Sequence, residues 1–482
     1  MERRDEMLHA QFSVFPFSNL SREVRIVSPV TTAPQPSSFI FASLWMAVWL
    51  CAVTTGITAD LPSVSFKKDI APLLQRRCVA CHGEESSKGG YRLDSFARMG
   101  KAGESDLAPI VPHKSGESEL YRLLVERDAN DRMPQKAEAL PKEEIALVER
   151  WIKEGAVNDS GPGNRPLAEL VRETLLLPAP AKYARAIPVT GLAFSPDGAQ
   201  LAVSGYFEVT IWDVDTGALV RRIGGLPERI TSIAWHPKTK LLAVTGGTPA
   251  QWGTVALIDP ALGYQPRLLC DLPEMAFSVA FSPDGGRLAA GGGDRTIRFF
   301  DTGTGKQLRV MRPHADWVQS VAFSPDGAHL LSASRDRTVR LAEVSTGQVE
   351  TTYAGHETAA LTAIFSHDGK TALSLAQNSP VHVWETSSGN TRQKSFEVPG
   401  RPERLAWVSG GLAVGSADGL VRILQTTDQQ TLFTLYGHVD AVTSIAVSRA
   451  PEVFATGSYD GTVCVWNVGC GTWVRRFVAS PR

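Results

Sequence analysis

Apolar positions divide this 482-residue chain into three stretches of different character. Between residues 60 and 159 they recur at helical spacing. Phe66, Ile70, Leu73 and Leu74 share one face, Leu120, Leu123 and Leu124 a second, and Ile145, Val148, Trp151 and Ile152 a third. The last helix is predicted to start at Pro141, whose fixed φ suits a first turn. Glu143 and Glu144 favour its positive end, and Gly155 stops it. The run Gly161-Pro-Gly-Asn-Arg-Pro166 marks a boundary. From about residue 188 the pattern changes to short apolar strands between turns, and it repeats. An anchor recurs at Phe194, Trp235, Phe281, Phe323, Phe365, Trp407 and Val447, spaced by 41, 46, 42, 42, 42 and 40 residues. Turns such as Ser195-Pro-Asp-Gly198, Ser282-Pro-Asp-Gly285, Ser324-Pro-Asp-Gly327 and Ser366-His-Asp-Gly369 follow the anchors, and each period holds four strand-length segments.

The first stretch has no amphipathic period. It is uncharged from Ile26 to Ala59, with an apolar heart at Phe39–Val53, and Arg22 and Arg25 precede it. It reads as a secretory signal core or a membrane anchor of marginal length, with Ile57-Thr58-Ala59 as a candidate cleavage site. The expected organisation is a leader over 1–59, a helical domain over 60–159, a linker over 160–187 and a repeat domain over 188–482. Either fate of the leader places the remainder outside the cytoplasm.

Charge adds little. The formal net charge is −1, so no global pull toward nucleic acid is expected. The segment 60–159 carries 16 Lys and Arg against 18 Asp and Glu. Lys67-Lys68 and Arg76-Arg77 read as a solvated helix face, or as a surface that steers an acidic redox partner. Six cysteines are too few and scattered for a disulfide framework. Cys464 and Cys470 flank a hairpin turn and are candidates for a disulfide or for ordinary packing. No Gly-x4-Gly-Lys-Ser/Thr loop, Gly-x-Ser-x-Gly elbow or His-Glu-x-x-His helix occurs.

One short motif changes the picture: Cys78-Val79-Ala80-Cys81-His82. Two thiols one helical turn apart suit thioether bonds to the two haem vinyl groups, and the adjoining imidazole suits the iron. The rival readings are a zinc site, which needs further Cys or His ligands, and a redox dithiol or disulfide. Cys270 lies in another domain, and His113 is the one further histidine in 60–159. A sixth iron ligand could come from Met133, Met99 or His113, or the position could stay open.

The surroundings extend the motif. Phe66, Ile70, Leu73-Leu74, then Lys88-Gly89-Gly90-Tyr91-Arg92-Leu93-Asp94, Ile110-Val111-Pro112, Arg132-Met133-Pro134 and Trp151-Ile152 follow in order. This segment resembles the cytochrome c domain typical of Planctomycetes. The resemblance implies one covalent haem c held by Cys78 and Cys81, with His82 as proximal iron ligand and Met133 as distal one. The family usually has Met-Pro-Pro where this chain has Met133-Pro134-Gln135, and Pro-Gly where it has Pro112-His113. Phe66 and Trp151 fit a contact between first and last helices that shields a haem edge.

The 42-residue periods resemble the WD-repeat family, whose units are propeller blades. Gly355-His356 and Gly437-His438 keep the Gly-His dyad, with Pro313-His314 as a weaker version. Asp294, Asp336, Asp418 and Asp460 occupy the turn position where family members pair Asp with that His. Most repeats lack one partner, so incomplete networks are expected.

The fold class that follows is multidomain: a small all-α class I cytochrome c-like domain, then an all-β WD-repeat propeller of seven blades. Thr472–Val478 could supply the outer strand of the last blade, which leaves open how the ring closes. The expected function is an exported monohaem cytochrome that relays electrons, an electron carrier rather than a catalyst. The propeller serves as a docking platform for redox or other proteins. The alternatives are a redox subunit of a larger oxidoreductase, a haem-based sensor or peroxidase with an open sixth position, and a scaffold with a stabilising haem.

Overall fold

The computed structural model describes residues 62–481, except 85, 136, 426–429, 449–452 and 469–471. The leader, with its apolar heart at 39–53, and Cys470 lie outside the described residues. Among those residues no helix is long and apolar enough to cross a membrane.

A π-helical turn, Phe66–Ile70, leads into α1, Ala71–Arg77. Short helices α2, Val79–His82, and α3, Phe96–Met99, follow; α4 is Glu119–Val125 and α5 is Lys142–Lys153. Pro141 stands one residue outside α5, in extended conformation, rather than inside its first turn. The predicted apolar faces meet in one core that buries Phe66, Ile70, Leu74, Leu124, Val148, Trp151 and Ile152. The Phe66 and Trp151 rings lie 5.6 Å apart between centroids, and Phe96 closes edge-on against Phe66 at 4.9 Å. Gly155 ends α5 with φ +103°, and a Cβ there would come within 2.9 Å of the His113 ring. Both the turn and the close approach call for glycine.

Residues read as linker contain a further helix, α6, Leu167–Leu175. Its Leu167, Leu170 and Val171 sit at i, i+3 and i+4, and all three are buried in the same core as Phe66. Tertiary packing recruits this segment across the Gly-Pro boundary. Arg172 of α6 then pairs with Asp271 of the second blade at 3.2 Å.

Seven four-stranded antiparallel sheets follow, each in simple sequential order. The blades span 192–223, 229–272, 276–311, 318–353, 360–396, 402–435 and 442–478. Every predicted anchor lies at or near the end of an innermost strand. The indole N–H groups of Trp235 and Trp407 donate to the carbonyls of Ala193 and Phe365 in the preceding blades (3.1 and 2.6 Å). The Ser-x-Asp-Gly turns share one device. Ser195 donates to Asp197, accepts from the Gln200 N–H at 2.9 Å, and Gly198 takes φ +74°. The second blade lacks that serine, and His236 Nδ1 accepts from the Lys238 and Thr239 N–H groups instead (3.1 and 3.0 Å).

Thr472–Val478 pairs with Thr462–Asn467 as the outer strand of the seventh blade. Closure therefore falls to the stretch entering the first blade. Val189 N–H donates to Ser458 O (3.0 Å), Ile187 N–H to Ser480 Oγ (3.1 Å) and Tyr183 N–H to Pro481 O (3.1 Å).

The turn aspartates divide by partner. His314 Nδ1 meets Asp336 at 2.9 Å while its Nε2 meets Ser332 at 2.8 Å. His438 bonds Thr456 (2.7 Å) and Thr462 (2.9 Å), and Trp466 N–H also donates to Thr456 (2.8 Å). Asp294 and Asp418, which have no histidine within reach, take Arg298 and Arg422 four residues on (2.9 and 2.7 Å). The turn aspartate is met directly by histidine in the fourth blade, through Thr462 in the seventh (Thr462 Oγ1 to Asp460 at 2.6 Å), and by arginine in the third and sixth, where Arg298 Nε stays buried without a partner. The fifth blade is different. Asn378 stands at the aspartate position with φ +54° and accepts from Arg401, so the buried His356 Nδ1 has no partner.

Candidate metal centre

Leu73 and Leu74 bury the inner face of α1, and the helix axis breaks at Cys78, where φ is −122°. The chain turns again at once: the Cys81 and His82 N–H groups both bond to Cys78 O (3.1 and 3.0 Å). One turn of backbone thus carries Cys78, Cys81 and His82. Cys78 packs partly buried against the helical core, whereas Cys81 is exposed, and neither is in a disulfide. Burial, with a smaller contribution from Glu144, pushes the Cys78 thiol up to about 12, so it is neutral near pH 7.

His82 is held through one nitrogen. Its Nδ1 lies 3.2 Å from Tyr91 O. A carbonyl accepts only, so Nδ1 carries the proton and Nε2 presents its lone pair. The Leu93 N–H clamps His82 O at 2.7 Å, and Tyr91 is itself anchored by its hydroxyl to Met99 O at 2.9 Å.

The three candidate distal donors part company. Met99 is fully buried in the core, where its carbonyl holds Tyr91. His113 is exposed and caps the end of α5: its N–H bonds to Ile152 O (2.8 Å) and its Nδ1 to Lys153 O (3.0 Å). Met133 is partly buried against the same core as Cys78, Val79 and Tyr91, and its N–H is fixed to Leu123 O at 2.9 Å.

Zinc needs a closed ligand set. Among the described residues no three His, Cys, Asp or Glu side chains come together to hold a metal ion. Two unpaired cysteines, an imidazole with one directed nitrogen and a thioether on the shared core fit a covalently tethered haem instead. Three of the four basic residues form ion pairs: Arg76 and Arg77 of α1 with Glu144 of α5 at 3.3 and 3.1 Å, and Lys67 of the π-helical turn with Glu173 of α6 at 2.7 Å.

Residues 78–136 match the sequence family described as Planctomycete cytochrome C. Residues 184–213, 275–301, 305–342 and 429–467 match WD domain, G-beta repeat. The chain joins a Planctomycete-type cytochrome c region to a WD-repeat propeller. The cytochrome c match opens on Cys78 and takes in Met133. The second and fifth blades and the inner three strands of the sixth fall outside the matched repeats, and the strand topology reveals all three as blades. Curated relatives share the repeats: "WD repeat-containing protein VIP3" of Arabidopsis thaliana is 34% identical over 124 residues, 23% of this chain and 39% of that one. "Sterol regulatory element-binding protein cleavage-activating protein" of Xenopus laevis is 41% identical over 66 residues, 14% of this chain and 5% of that one. The chain spans well under half the length of either.

Tyr91 and Glu144 escaped the motif reading. Tyr91 acts through a backbone carbonyl, which has no side-chain signature, while Glu144 acts across two helices.

Proposed function

We propose that the cytochrome c region binds one haem c and relays single electrons outside the cytoplasm, while the propeller docks protein partners. Cys78 and Cys81 would hold the haem through thioether bonds, and His82 Nε2 and the Met133 sulfur would be the iron ligands. When bound, the haem iron supplies one-electron chemistry. The chain's own residues do the rest. Tyr91 O keeps the His82 proton on Nδ1 and fixes the ring, and the Phe66–Phe96–Trp151 cluster keeps water from the helical core. Met133, its N–H fixed to Leu123 O, is the thioether that would bind the iron and keep small ligands off it. No substrate turnover is required of the polypeptide. The apolar segment 39–53 directs export, as a cleaved signal or as an anchor.

The observation that carries this reading is the single engaged nitrogen of His82 beside two unpaired cysteines. Expression of the chain with haem-attachment machinery tests it. A c-type pyridine haemochrome and a reduced-minus-oxidised spectrum of low-spin iron are expected. Colourless protein, or protein that binds carbon monoxide readily when reduced, contradicts the attachment or the Met133 ligation respectively.

A further inference from the structure

Arg132 immediately precedes Met133. Its N–H bonds to Asp128 O at 2.8 Å, so both residues are fixed by the turn after α4. The guanidinium is partly buried. Nη2 donates to Ala137 O at 3.2 Å, but Nε is fully buried and has no acceptor. Leaving a buried donor unmade costs about 1–3 kcal/mol, and more on a charged group.

The other partly buried arginines of the helical region do not share this fate. Arg92 pairs with Asp94, Arg150 with Glu154, Arg165 with Glu169 and Arg172 with Asp271. Arg132 alone of this set has no carboxylate among the described residues. It is also the one that adjoins the distal-ligand candidate. A cation held this way beside the proposed cofactor is complete only when an anion arrives with that cofactor.

We infer that Arg132 is the counter-charge for a propionate carboxylate of the haem, a positioning residue acting beside Met133. This rests on the haem reading above. The guanidinium offsets negative charge at the macrocycle edge and so favours the reduced iron, whose site carries one positive charge fewer.

The test uses the full mature chain, its Arg132→Gln and Arg132→Lys variants, and redox titration at fixed pH and salt, with haem per chain measured on the same samples. Gln is expected to shift the oxidised/reduced equilibrium at least tenfold toward the oxidised form, about 59 mV lower for a one-electron couple. Lys is expected to recover most of that shift. Retention of the weak long-wavelength band of sulfur–iron(III) ligation shows that Met133 is still bound. A Gln variant with full haem and wild-type potential overturns the inference. If Gln fails to mature, Lys decides: recovery of haem and potential supports the inference, and a Lys variant as empty as Gln overturns it. A colourless wild-type chain sinks the haem reading itself, which separates the two failures.

Discussion

The cytochrome c region and the propeller treat the same side chain in opposite ways. In the propeller, His314 and His438 have both ring nitrogens engaged by neighbours within their own blades. In the helical region His82 has one nitrogen tied and the other presented. Cys78 and Cys81, on the same turn, are likewise unpaired, and Arg132, next to Met133 in the chain, has an Nε without an acceptor. The lesson is that residue type identifies neither site. Both nitrogens are engaged in those two structural histidines and only one in His82, but the exposed His113, tied through Nδ1 alone, shows that a free nitrogen has to stand with the rest of a ligand set. The fifth blade tests that rule, because His356 also has a bare nitrogen. There the nitrogen is sealed inside a blade, with the His382 ring 4.4 Å away, so it marks a packing defect rather than a site.

Removing His82 should break the comparison most completely. His82→Ala is expected to abolish the low-spin haem spectrum while the thermal transition of the propeller stays in place. His438→Ala should do the reverse, leaving the spectrum and lowering the propeller transition, read by circular dichroism and haem absorbance on the same samples. Next in size is Trp151→Ala. It empties a fully buried site at the centre of the helical core and should cost about 3–5 kcal/mol in denaturant titration of that region.

Acid sharpens the contrast between blades. Burial, and then the neighbouring His382, depress His356 to about 3, against an ordinary 6.5. Burial depresses His438 to about 4, with Asp460 opposing. The unfolded chain takes up protons at these sites below about 6.5 and the folded chain does not. Their contribution to stability is thus complete above that pH and is lost as pH falls toward 4 and then 3. For His356 the full loss is on the order of 5 kcal/mol. A His356→Phe variant should show a shallower fall in unfolding free energy between pH 6.5 and 4; an unchanged slope would refute the assignment. The smallest effect is expected from Asn378→Asp. It restores at the fifth blade the acceptor that Asp336 gives His314, and should stabilise the propeller by about 1 kcal/mol at pH 7. A neutral result would mean that Arg401 keeps the new carboxylate.

Much of this is legible in the sequence. The Cys-x-x-Cys-His spacing is local, so one helical turn explains it. The blade count followed from the anchors, because each marks the same end of an innermost strand. Helix α6 was missed although Leu167, Leu170 and Val171 carry a helical stripe; the Gly-Pro run before it looked like a domain end. The turn aspartates were only half legible. Whether Asp336 takes a histidine from the preceding loop, or Asp294 an arginine four residues on, depends on which cation the tertiary fold brings within reach. Ring closure was not legible at all, since it depends on Val189 and Ile187 bonding to residues some 270–290 positions away.

A haem relay of this kind requires covalent attachment at Cys78 and Cys81. Intact mass of the denatured chain from a host with haem-attachment machinery measures this directly. The prediction is a species heavier than the mature polypeptide by one haem, which reverts to the polypeptide mass in the Cys78→Ala/Cys81→Ala double variant. A wild-type chain at bare polypeptide mass would contradict it.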